Sequence, residues 1–122
     1  MDPTPKLYHY NAQCLSVHDG DTITVDIDLG LNMVKKKESL RLFGINAPEV
    51  NKPESKEAGK KATDFLKGLV LGKPIVIETI KDKQEKYGRL LAKIYVPMSD
   101  GSWVYVNETM VSSGNAIKFM DK

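Results

Sequence analysis

The sequence feature that most constrains the fold is one amphipathic helical segment lying between two groups of strand-like segments. Over residues 55–70 the apolar side chains recur at helical spacing, while lysines fill the other face. Gly72 and Pro74 follow, and both residue types are typical of positions just beyond a helix end. Such a helix must bury its apolar face against another element. The pattern therefore predicts an α+β fold.

Strand-like segments precede and follow this helix. Residues 22–29 alternate between apolar and polar side chains, and turn residues at 30–32 lead on to an apolar run at 40–45, which predicts a long hairpin. The segment at 8–17 is loosely strand-like. Three further strands are predicted over residues 75–80, 90–96 and 103–106.

The end of the chain completes the pattern. A short helix is predicted from residue 107 to about residue 113, where Gly114 supplies a C-terminal stop. The whole order fits a five-stranded OB-type Greek-key β-barrel with one long helix and one short C-terminal helix. The strand count alone also permits an SH3-like barrel.

The length of 122 residues predicts a single domain over residues 1–122. Hydrophobic residues make up 41% and charged residues 28%, as in an ordinary globular protein. Lys plus Arg number 18 and Asp plus Glu number 16, so the bulk charge does not indicate a polyanionic partner. Cys14 is the only cysteine, which excludes an internal disulfide and a cysteine-based zinc cluster.

The first residues contain no basic segment followed by an apolar one, and no stretch is long enough to cross a bilayer. We therefore expect an intracellular protein without a membrane partner. A phage-derived protein and release from a trimmed precursor remain as alternatives.

Three short motifs carry residues suited to chemistry. The first places the carboxylates of Asp19 and Asp21 on a turn before a strand, where Gly20 allows a close backbone approach. These carboxylates are hard oxygen donors for a metal ion. The structural alternative is ordinary turn chemistry, with Asp21 forming an Asx-turn.

The second motif brings Arg41, on a strand, within eight positions of Glu49, on the loop that follows. The amide oxygen of Asn46 and nearby backbone carbonyls could join Asp21 in a water-rich site for Ca²⁺ or Mg²⁺. The alternative is a surface ion pair between Arg41 and Glu49, which would carry no function.

The third motif, Lys86, Tyr87 and Arg89, lies at the junction of a loop and a strand. A guanidinium binds two phosphate oxygens at once, and an aromatic ring can stack on a base. The alternative is a tyrosine packed over the core beside solvated lysines. Together, two arginines, a glutamate and a set of oxygen ligands are what phosphodiester hydrolysis requires.

Five segments occur in one order between about residues 17 and 116: DGDT, RLFGINAPE, EAGKKATDFLKGLV, KYGRLLAKIYV and VNETMVSSGNA. In this order and spacing they resemble the staphylococcal nuclease family, the thermonucleases. The resemblance implies an OB-fold endonuclease, a hydrolase that cleaves phosphodiester bonds of DNA and RNA with Ca²⁺, Mg²⁺ being an alternative. We expect a monomer that acts on DNA, RNA or both.

The resemblance also implies roles for individual residues. Arg41 matches the arginine that binds the scissile phosphate, and Arg89 the one that stabilises the transition state. Glu49 matches the glutamate proposed as general base toward a metal-bound water. The metal site would comprise Asp21, Asn46, the backbone carbonyl of Ala47 and, as a weak or indirect ligand, Asp19. The residues that match contacts to a terminal phosphate are Lys86 and Tyr87, and Thr22 lies beside the metal ligands.

Three departures from the family pattern stand out. Asn46 replaces the usual second carboxylate ligand and removes a negative charge, which predicts weaker calcium binding or a changed metal preference. Ala47 replaces the usual threonine. The loop after Glu49 is short, and the chain ends at Lys122 without a longer C-terminal helix, so Phe119 is the aromatic left for base stacking or for packing.

Two other functions remain open at this level. The first is a non-catalytic OB-fold module that binds nucleic acid or protein and has a degraded metal site, as Asn46 would suggest. The second is a structural or interaction protein, which predicts no salt-sensitive binding of nucleic acid.

Overall fold

A computed structural model describes residues 6–119, which contain four strands before the first α-helix, three between the two α-helices and one after the second. The strands are β1 (His9–Asp19), β2 (Thr22–Gly30), β3 (Met33–Leu42), β4 (Ile45–Asn46), β5 (Pro74–Gln84), β6 (Leu90–Pro97), β7 (Trp103–Tyr105) and β8 (Ile117–Lys118). The helices are α1 (Lys56–Val70), which follows a short 3-10 turn at Pro53–Ser55, and α2 (Val106–Ser112). Residues 1–5 and 120–122 lie outside the described range, including the predicted domain end at Lys122. The assignment of residues 1–122 to one domain stays a prediction.

Five strands close into a barrel. The main sheet has the order β3-β2-β1-β5-β6-β7, and a parallel pairing of β3 with β6 joins its two sides, with Leu40 opposite Leu90 and Leu42 opposite Ala92. β7 extends the sheet at β6, and β4 pairs with β8 in a separate two-stranded ribbon. The predicted five-stranded OB-type barrel with one long and one short helix is confirmed.

The alternation in β2 sets which side of this strand is buried. Ile23, Val25 and Ile27 are almost fully buried and point into the barrel. The hairpin to β3 turns through Leu31 and Asn32, both of which have positive φ angles (55° and 63°). This two-residue turn matches the right-handed twist of the flanking strands.

Helix α1 covers one side of the barrel with the apolar face that its periodicity predicts. Ala62, Leu66 and Val70 on that face are fully buried and belong to the same hydrophobic core as the barrel strands. Gly72, just past the helix end, has a φ of 71°, in agreement with its predicted role as a stop. The described residues contain no helix long and apolar enough to cross a membrane.

A buried asparagine fixes α2 against the barrel. The side-chain oxygen of Asn107 accepts a hydrogen bond from the Ile94 amide at 2.9 Å. Its amide nitrogen donates to the carbonyls of Phe43 and Ala92 at 2.8 Å and 3.1 Å. Every polar atom of this side chain has a hydrogen-bond partner. Its burial therefore leaves no polar group unpaired, and its bonds define how α2 sits against the barrel.

The structure divides the predicted run at residues 40–45 between β3 and β4, adds β8 and lengthens β5. The strand continues to Gln84 instead of ending at residue 80. Lys81 and Asp82 have positive φ angles, and the register against β6 shifts between Thr79 and Gln84, as in a bulge. Asp82 stabilises this bulge through hydrogen bonds with Thr79 and with the hydroxyl of Tyr10. Residues 81–84 are polar, and backbone pairing across the bulge keeps them in the sheet.

Candidate active site

A cleft of about 1030 Å³ opens at one end of the barrel. Every residue that the sequence analysis selected for the site lines this cleft: Asp19, Asp21, Arg41, Asn46, Ala47, Glu49, Lys86, Tyr87 and Arg89. They come from the end of β1 and the turn after it, from β3, from β4 and the loop after it, and from the β5–β6 loop. Segments far apart in sequence therefore meet at one cavity.

Close packing around Gly20 positions the β1–β2 turn. A Cβ atom at Gly20 would lie 2.7 Å from Cβ of Ala47 and 2.8 Å from Cβ of Ala62. These distances are shorter than real carbon contacts, so only glycine fits between the loop and helix α1. The small side chains of Ala47 and Ala62 also allow the β1–β2 turn to pack this closely.

Asp21 is held by one hydrogen bond from its neighbour Thr22 and one from the distant Ala47. Its Oδ2 accepts from the backbone N–H of Ala47 at 2.9 Å, and its Oδ1 accepts from the hydroxyl of Thr22 at 3.1 Å. The Asx interaction that sequence patterns suggested for Asp21 belongs instead to Asp19, whose Oδ1 accepts from the amide of Asp21 at 3.1 Å. That structural alternative is therefore wrong for Asp21, because its carboxylate accepts a hydrogen bond from Ala47 in the loop after β4.

The two carboxylates lie close enough to influence each other. Burial of Asp19 and its hydrogen bond and charge interaction with Asp21 raise the pKa of Asp19 to about 6. The site thus holds two neighbouring acidic groups whose negative charges repel, an arrangement that a bound cation would stabilise.

Arg41 extends from β3 into the cleft and is largely buried. Its Nη1 donates to the carbonyls of Leu42 at 3.1 Å and Ile45 at 3.0 Å, which fixes the plane of the guanidinium. Its Nη2 lies 3.8 Å from Oδ2 of Asp21 and 3.4 Å from Oδ1 of Asn46. One edge of the guanidinium is therefore anchored by backbone, and the other faces the carboxylate side of the cleft.

Arg89 is held by a carboxylate from its own loop. Glu85 accepts from Nε and Nη2 of Arg89 at 3.1 Å and 3.0 Å, a bidentate pair, and also accepts from the backbone amides of Tyr87 and Arg89. These contacts lower the pKa of Glu85 to about 2, with the Arg89 side chain as the main cause. Nη1 of Arg89 donates to the hydroxyl of Thr22 at 3.2 Å.

Thr22 connects the two sides of the cleft. Its hydroxyl donates to Asp21 and accepts from Arg89, so the carboxylate and the second arginine share one intermediate group. The predicted position of Thr22 beside the acidic residues agrees with this geometry.

Glu49 has a fixed backbone and an open side chain. The hydroxyl of Ser55 donates to the Glu49 carbonyl at 2.7 Å, and the backbone of Gly59 in α1 packs against the same peptide. The carboxylate is about half exposed (53%) and pairs with Lys52 at 3.4 Å. The alternative of a surface pair between Arg41 and Glu49 is wrong, since Arg41 contacts Asp21 and Glu49 contacts Lys52.

Lys86 and Tyr87 form the outer edge of the cleft. Tyr87 is 71% exposed, so the alternative of a tyrosine packed over the core is wrong. The Lys86 ammonium lies 5.1 Å and the Arg89 guanidinium carbon 5.4 Å from the centroid of the tyrosine ring. An exposed ring between two cations is well suited to an anionic ligand with a planar group.

Two residues that contribute to this geometry were missed in the sequence. Glu85 stands four positions before Arg89 across a glycine turn, and that spacing could have indicated the bidentate pair. Gly59 lies inside α1, where a Cβ would be 2.8 Å from the Glu49 carbonyl carbon. Nothing in the local sequence indicates this approach, because it depends on how the loop crosses the helix.

The four residues predicted to offer oxygen ligands, Asp19, Asp21, Asn46 and Ala47, all line the cleft. Within residues 6–119, no group of three or more His, Cys, Asp or Glu residues is arranged to hold a metal ion. The donor set is thus two carboxylates supplemented by neutral oxygens. All of them are hard ligands of the kind that Ca²⁺ and Mg²⁺ take.

Known proteins share much of this sequence. A thermonuclease of Staphylococcus hyicus is 36% identical over 84 residues, which cover 67% of this chain and 46% of that protein. The endonuclease YncB of Bacillus subtilis is 38% identical over 101 residues, or 80% of this chain and 43% of that protein. A thermonuclease of Staphylococcus intermedius is 34% identical over 82 residues, or 66% of this chain and 45% of that protein. The chain spans about half the length of these curated relatives.

A family model described as staphylococcal nuclease homologue matches residues 39–122, more than half of the chain. This range includes both arginines, the glutamate loop and helix α1. The barrel, the two helices and the cleft are consistent with the match. The chain therefore belongs to the staphylococcal nuclease family.

Proposed function

We propose that this chain is a metal-dependent nuclease that hydrolyses phosphodiester bonds of DNA, RNA or both. The observation that carries the proposal is the meeting of two guanidinium groups, from Arg41 and Arg89, with Asp21 and Glu49 in one cleft. Hydrolysis adds negative charge to the phosphate oxygens, and positioned guanidinium groups stabilise that charge. The nuclease names of the relatives support the same reaction class.

The two arginines would have different roles in the reaction. Arg41 is anchored through Nη1, so the plane of its guanidinium is fixed before a phosphate binds. Arg89 would use Nη1, the nitrogen not held by Glu85, as the charge develops. Its bidentate pair with Glu85 keeps the guanidinium in one orientation.

Glu49 is the candidate general base. It lines the cleft, and its carboxylate is half exposed and pairs at the surface with Lys52. A general base must lie within hydrogen-bond reach of the attacking water, directly or through a further water. The fixed backbone of Glu49 limits where its carboxylate can move.

Asp21, Asn46, the Ala47 carbonyl and Asp19 would hold Ca²⁺, with Mg²⁺ as the alternative. When bound, the ion would polarise the phosphate and align the attacking water. Lys86 and Tyr87 would contact a further phosphate of the substrate from the outer edge of the cleft.

The second candidate is a module that binds nucleic acid without cleaving it. Asn46 favours this alternative because it leaves only two carboxylates among the oxygen donors. Both candidates use the same cations to bind phosphate, so they differ in turnover and not in binding.

The test incubates single-stranded and duplex DNA and RNA with the protein in Ca²⁺, in Mg²⁺ and in chelator. We expect cleavage with a metal ion and none in chelator. Binding that weakens with salt, without cleavage under any condition, would support the binding module and overturn the nuclease. Absence of both binding and cleavage would favour a structural or interaction role.

A further inference from the structure

The tip of the β2–β3 hairpin, residues 29–34, carries a cluster of exposed apolar side chains. Leu31 is 94% exposed, and Leu29, Met33 and Val34 are each about half exposed. Single exposed apolar residues are common on protein surfaces, whereas a contiguous cluster marks an interaction surface. None of the roles proposed above uses this tip.

Turn chemistry does not explain the leucine at the centre of the tip. Leu31 and Asn32 are the two central residues of the turn, with φ angles of 55° and 63°. Glycine and asparagine are favoured at such positions because most other side chains strain a left-handed backbone. Asn32 fits this preference and Leu31 does not. The exposed side chain of Leu31 therefore points to a contact outside the chain, since neither the turn nor the core requires it.

Apolar side chains of the tip face both sides of the hairpin. Leu29 lines the same cavity as Ile27, whose side chain points into the barrel. Val34 pairs with Asp28, and both line a cavity on the outer side together with Leu31. A flat partner surface covers one side of a hairpin, whereas the boundary region of a lipid bilayer surrounds an inserted tip. The tip is therefore suited to a bilayer.

Three lysines follow the apolar tip along β3. Lys35, Lys36 and Lys37 are exposed, and residues 29–37 contain no acidic side chain. Glu38 pairs with Lys35 at 3.6 Å, while the other two ammonium groups form no ion pair within the described part of the chain. Cations beside an inserted apolar tip contact the phosphates of anionic lipids, and their alkyl stems cover apolar surface. The charge next to the tip thus complements an anionic bilayer.

Two carboxylates lie on the strand that pairs with this lysine segment. Asp28 accepts a hydrogen bond from the Gly30 amide at 2.8 Å, and Asp26 accepts one from the Lys37 amide at 2.9 Å. These acidic groups hold the backbone of the hairpin, while the lysine side chains remain exposed.

The tip lies at the far end of the hairpin from the candidate active-site cleft. Thr22 pairs with Arg41 beside the cleft, and Gly30 pairs with Met33 at the tip. The strand between these two pairs spans about 26 Å at a rise of about 3.3 Å per residue. Amphipathic segments insert only about 5 to 10 Å into a bilayer surface. Docking by the tip therefore leaves the cleft open to its substrate.

We infer that the tip of the β2–β3 hairpin docks this protein on the surface of an anionic lipid bilayer. The four apolar side chains insert at the boundary between headgroups and acyl chains, and the three lysines contact lipid phosphates. The expectation of no membrane partner rests on the lack of a spanning segment, which surface docking does not need. A nucleic acid backbone would fit the lysines but not the apolar tip. The inference does not depend on the proposed nuclease function.

The test measures co-sedimentation of the protein with lipid vesicles in chelator, so that no metal ion bridges protein and lipid. Vesicles of phosphatidylcholine alone are compared with vesicles that also contain phosphatidylglycerol. We expect binding to the anionic vesicles that weakens as salt is raised, and at least about tenfold weaker binding to the neutral ones. Absence of binding to anionic vesicles overturns the inference.

Leu31→Asn separates docking from folding. Asparagine is favoured at the positive φ of this position, so the variant should fold at least as stably as the unchanged protein. Its affinity for anionic vesicles should fall about tenfold, because one apolar side chain no longer enters the bilayer. Ile117→Asn is the matched control, since Ile117 is an exposed apolar residue on β8, and it should bind like the unchanged protein. Full binding by the Leu31→Asn variant, or an equal loss in the control, overturns the inference.

A double variant, Lys36→Glu with Lys37→Glu, tests the charge beside the tip. Its affinity for anionic vesicles should fall at least about tenfold. Lys60→Glu with Lys61→Glu, on the exposed side of α1, is the control because it changes the net charge equally. If both double variants lose binding equally, net charge and not the hairpin drives binding, and the inference fails. Self-association that Leu31→Asn abolishes, without vesicle binding, would assign the tip to a second copy of the chain instead.

Discussion

The two walls of the candidate active-site cleft are built in different ways. The inner wall, formed by Asp19, Asp21 and residues 46–49, is joined by contacts between distant segments, such as the bond from the Ala47 amide to Asp21. The outer wall, residues 83–89, is joined mainly by contacts within one turn, centred on Glu85. One wall depends on the packing of the whole barrel and the other largely on its own sequence.

This difference separates two physical requirements of the site. A donor set for a metal ion needs oxygen atoms from several segments at fixed distances, and close packing of Gly20 and Gly59 against their neighbours supplies that order. A phosphate-binding arginine needs a defined plane, and a carboxylate four residues away is sufficient. Thr22 is the contact that joins the two walls. The following predictions test this division.

The largest expected effect concerns one catalytic candidate from each wall. Glu49→Gln and Arg89→Ala should each lower kcat at least about a hundredfold, about 2.7 kcal/mol, because each removes a group proposed to act on the transition state. Initial-rate cleavage assays measure the effect, and Lys67→Ala on the exposed side of α1 is the control. Unchanged rates in both variants would contradict the assigned roles.

The next prediction compares two glycines of helix α1. Gly59→Ala places a Cβ 2.8 Å from the Glu49 backbone and should destabilise the protein by about 1 to 3 kcal/mol through overpacking. Gly68→Ala meets no atom within 4 Å and should stabilise it by about 0.5 to 1 kcal/mol, since alanine is the better helix former. Denaturant unfolding of both variants measures the difference. Equal effects would show that the inner wall does not depend on the close contact between Gly59 and the Glu49 backbone.

A third prediction concerns the charge of the inner wall. Asn46→Asp should tighten Ca²⁺ binding by roughly tenfold, because ligand charge is one factor that tunes calcium affinity. Asn51→Asp is the matched control, since it adds the same charge elsewhere in the cleft. Calorimetric titration with Ca²⁺ distinguishes them. If both variants bind calcium equally, Asn46 is not a ligand.

The smallest expected effect is a pH dependence from the outer wall. The pKa of Glu85 is lowered to about 2, so its ionised form stabilises the folded state fully above the usual glutamate pKa of 4.5. That contribution decreases as pH falls from about 4.5 toward 2, where the folded state also becomes protonated. The Glu85→Gln variant should therefore lose less stability than the unchanged protein as pH falls over this range. Measuring the free energy of unfolding of both proteins at each pH checks this. Parallel curves would show that the pair does not stabilise the fold.

Much of the fold was predictable from local patterns. The alternation of Ile23, Val25 and Ile27 and the helical period over residues 55–70 identified β2 and α1, because burial on one face imposes these periods. The extension of β5 past residue 80 was not predictable. Its residues are polar, and only the bulge at Lys81 and Asp82 and the pairing with β6 keep them in the sheet.

For the candidate site, the sequence indicated residue types but not their partners. All nine selected residues line the cleft, while three of the structural alternatives for them proved wrong. The partner of Glu49 is Lys52, and the Asx interaction belongs to Asp19. Such pairings depend on where each side chain points once the loop after β4 has packed against α1. Short sequence motifs do not encode these directions.

The sequence by itself determined the period of β2 and α1 and the chemistry available in each motif, because periodicity and residue type act locally. It also determined the outer wall, since Glu85 and Arg89 lie within one turn. Only the tertiary structure decided the inner wall, where Asp21 meets Ala47 across 26 positions, and the position of Phe119 beside Arg41 in the same cleft. The physical reason is that close packing and closure of the barrel select contacts that no short segment can specify.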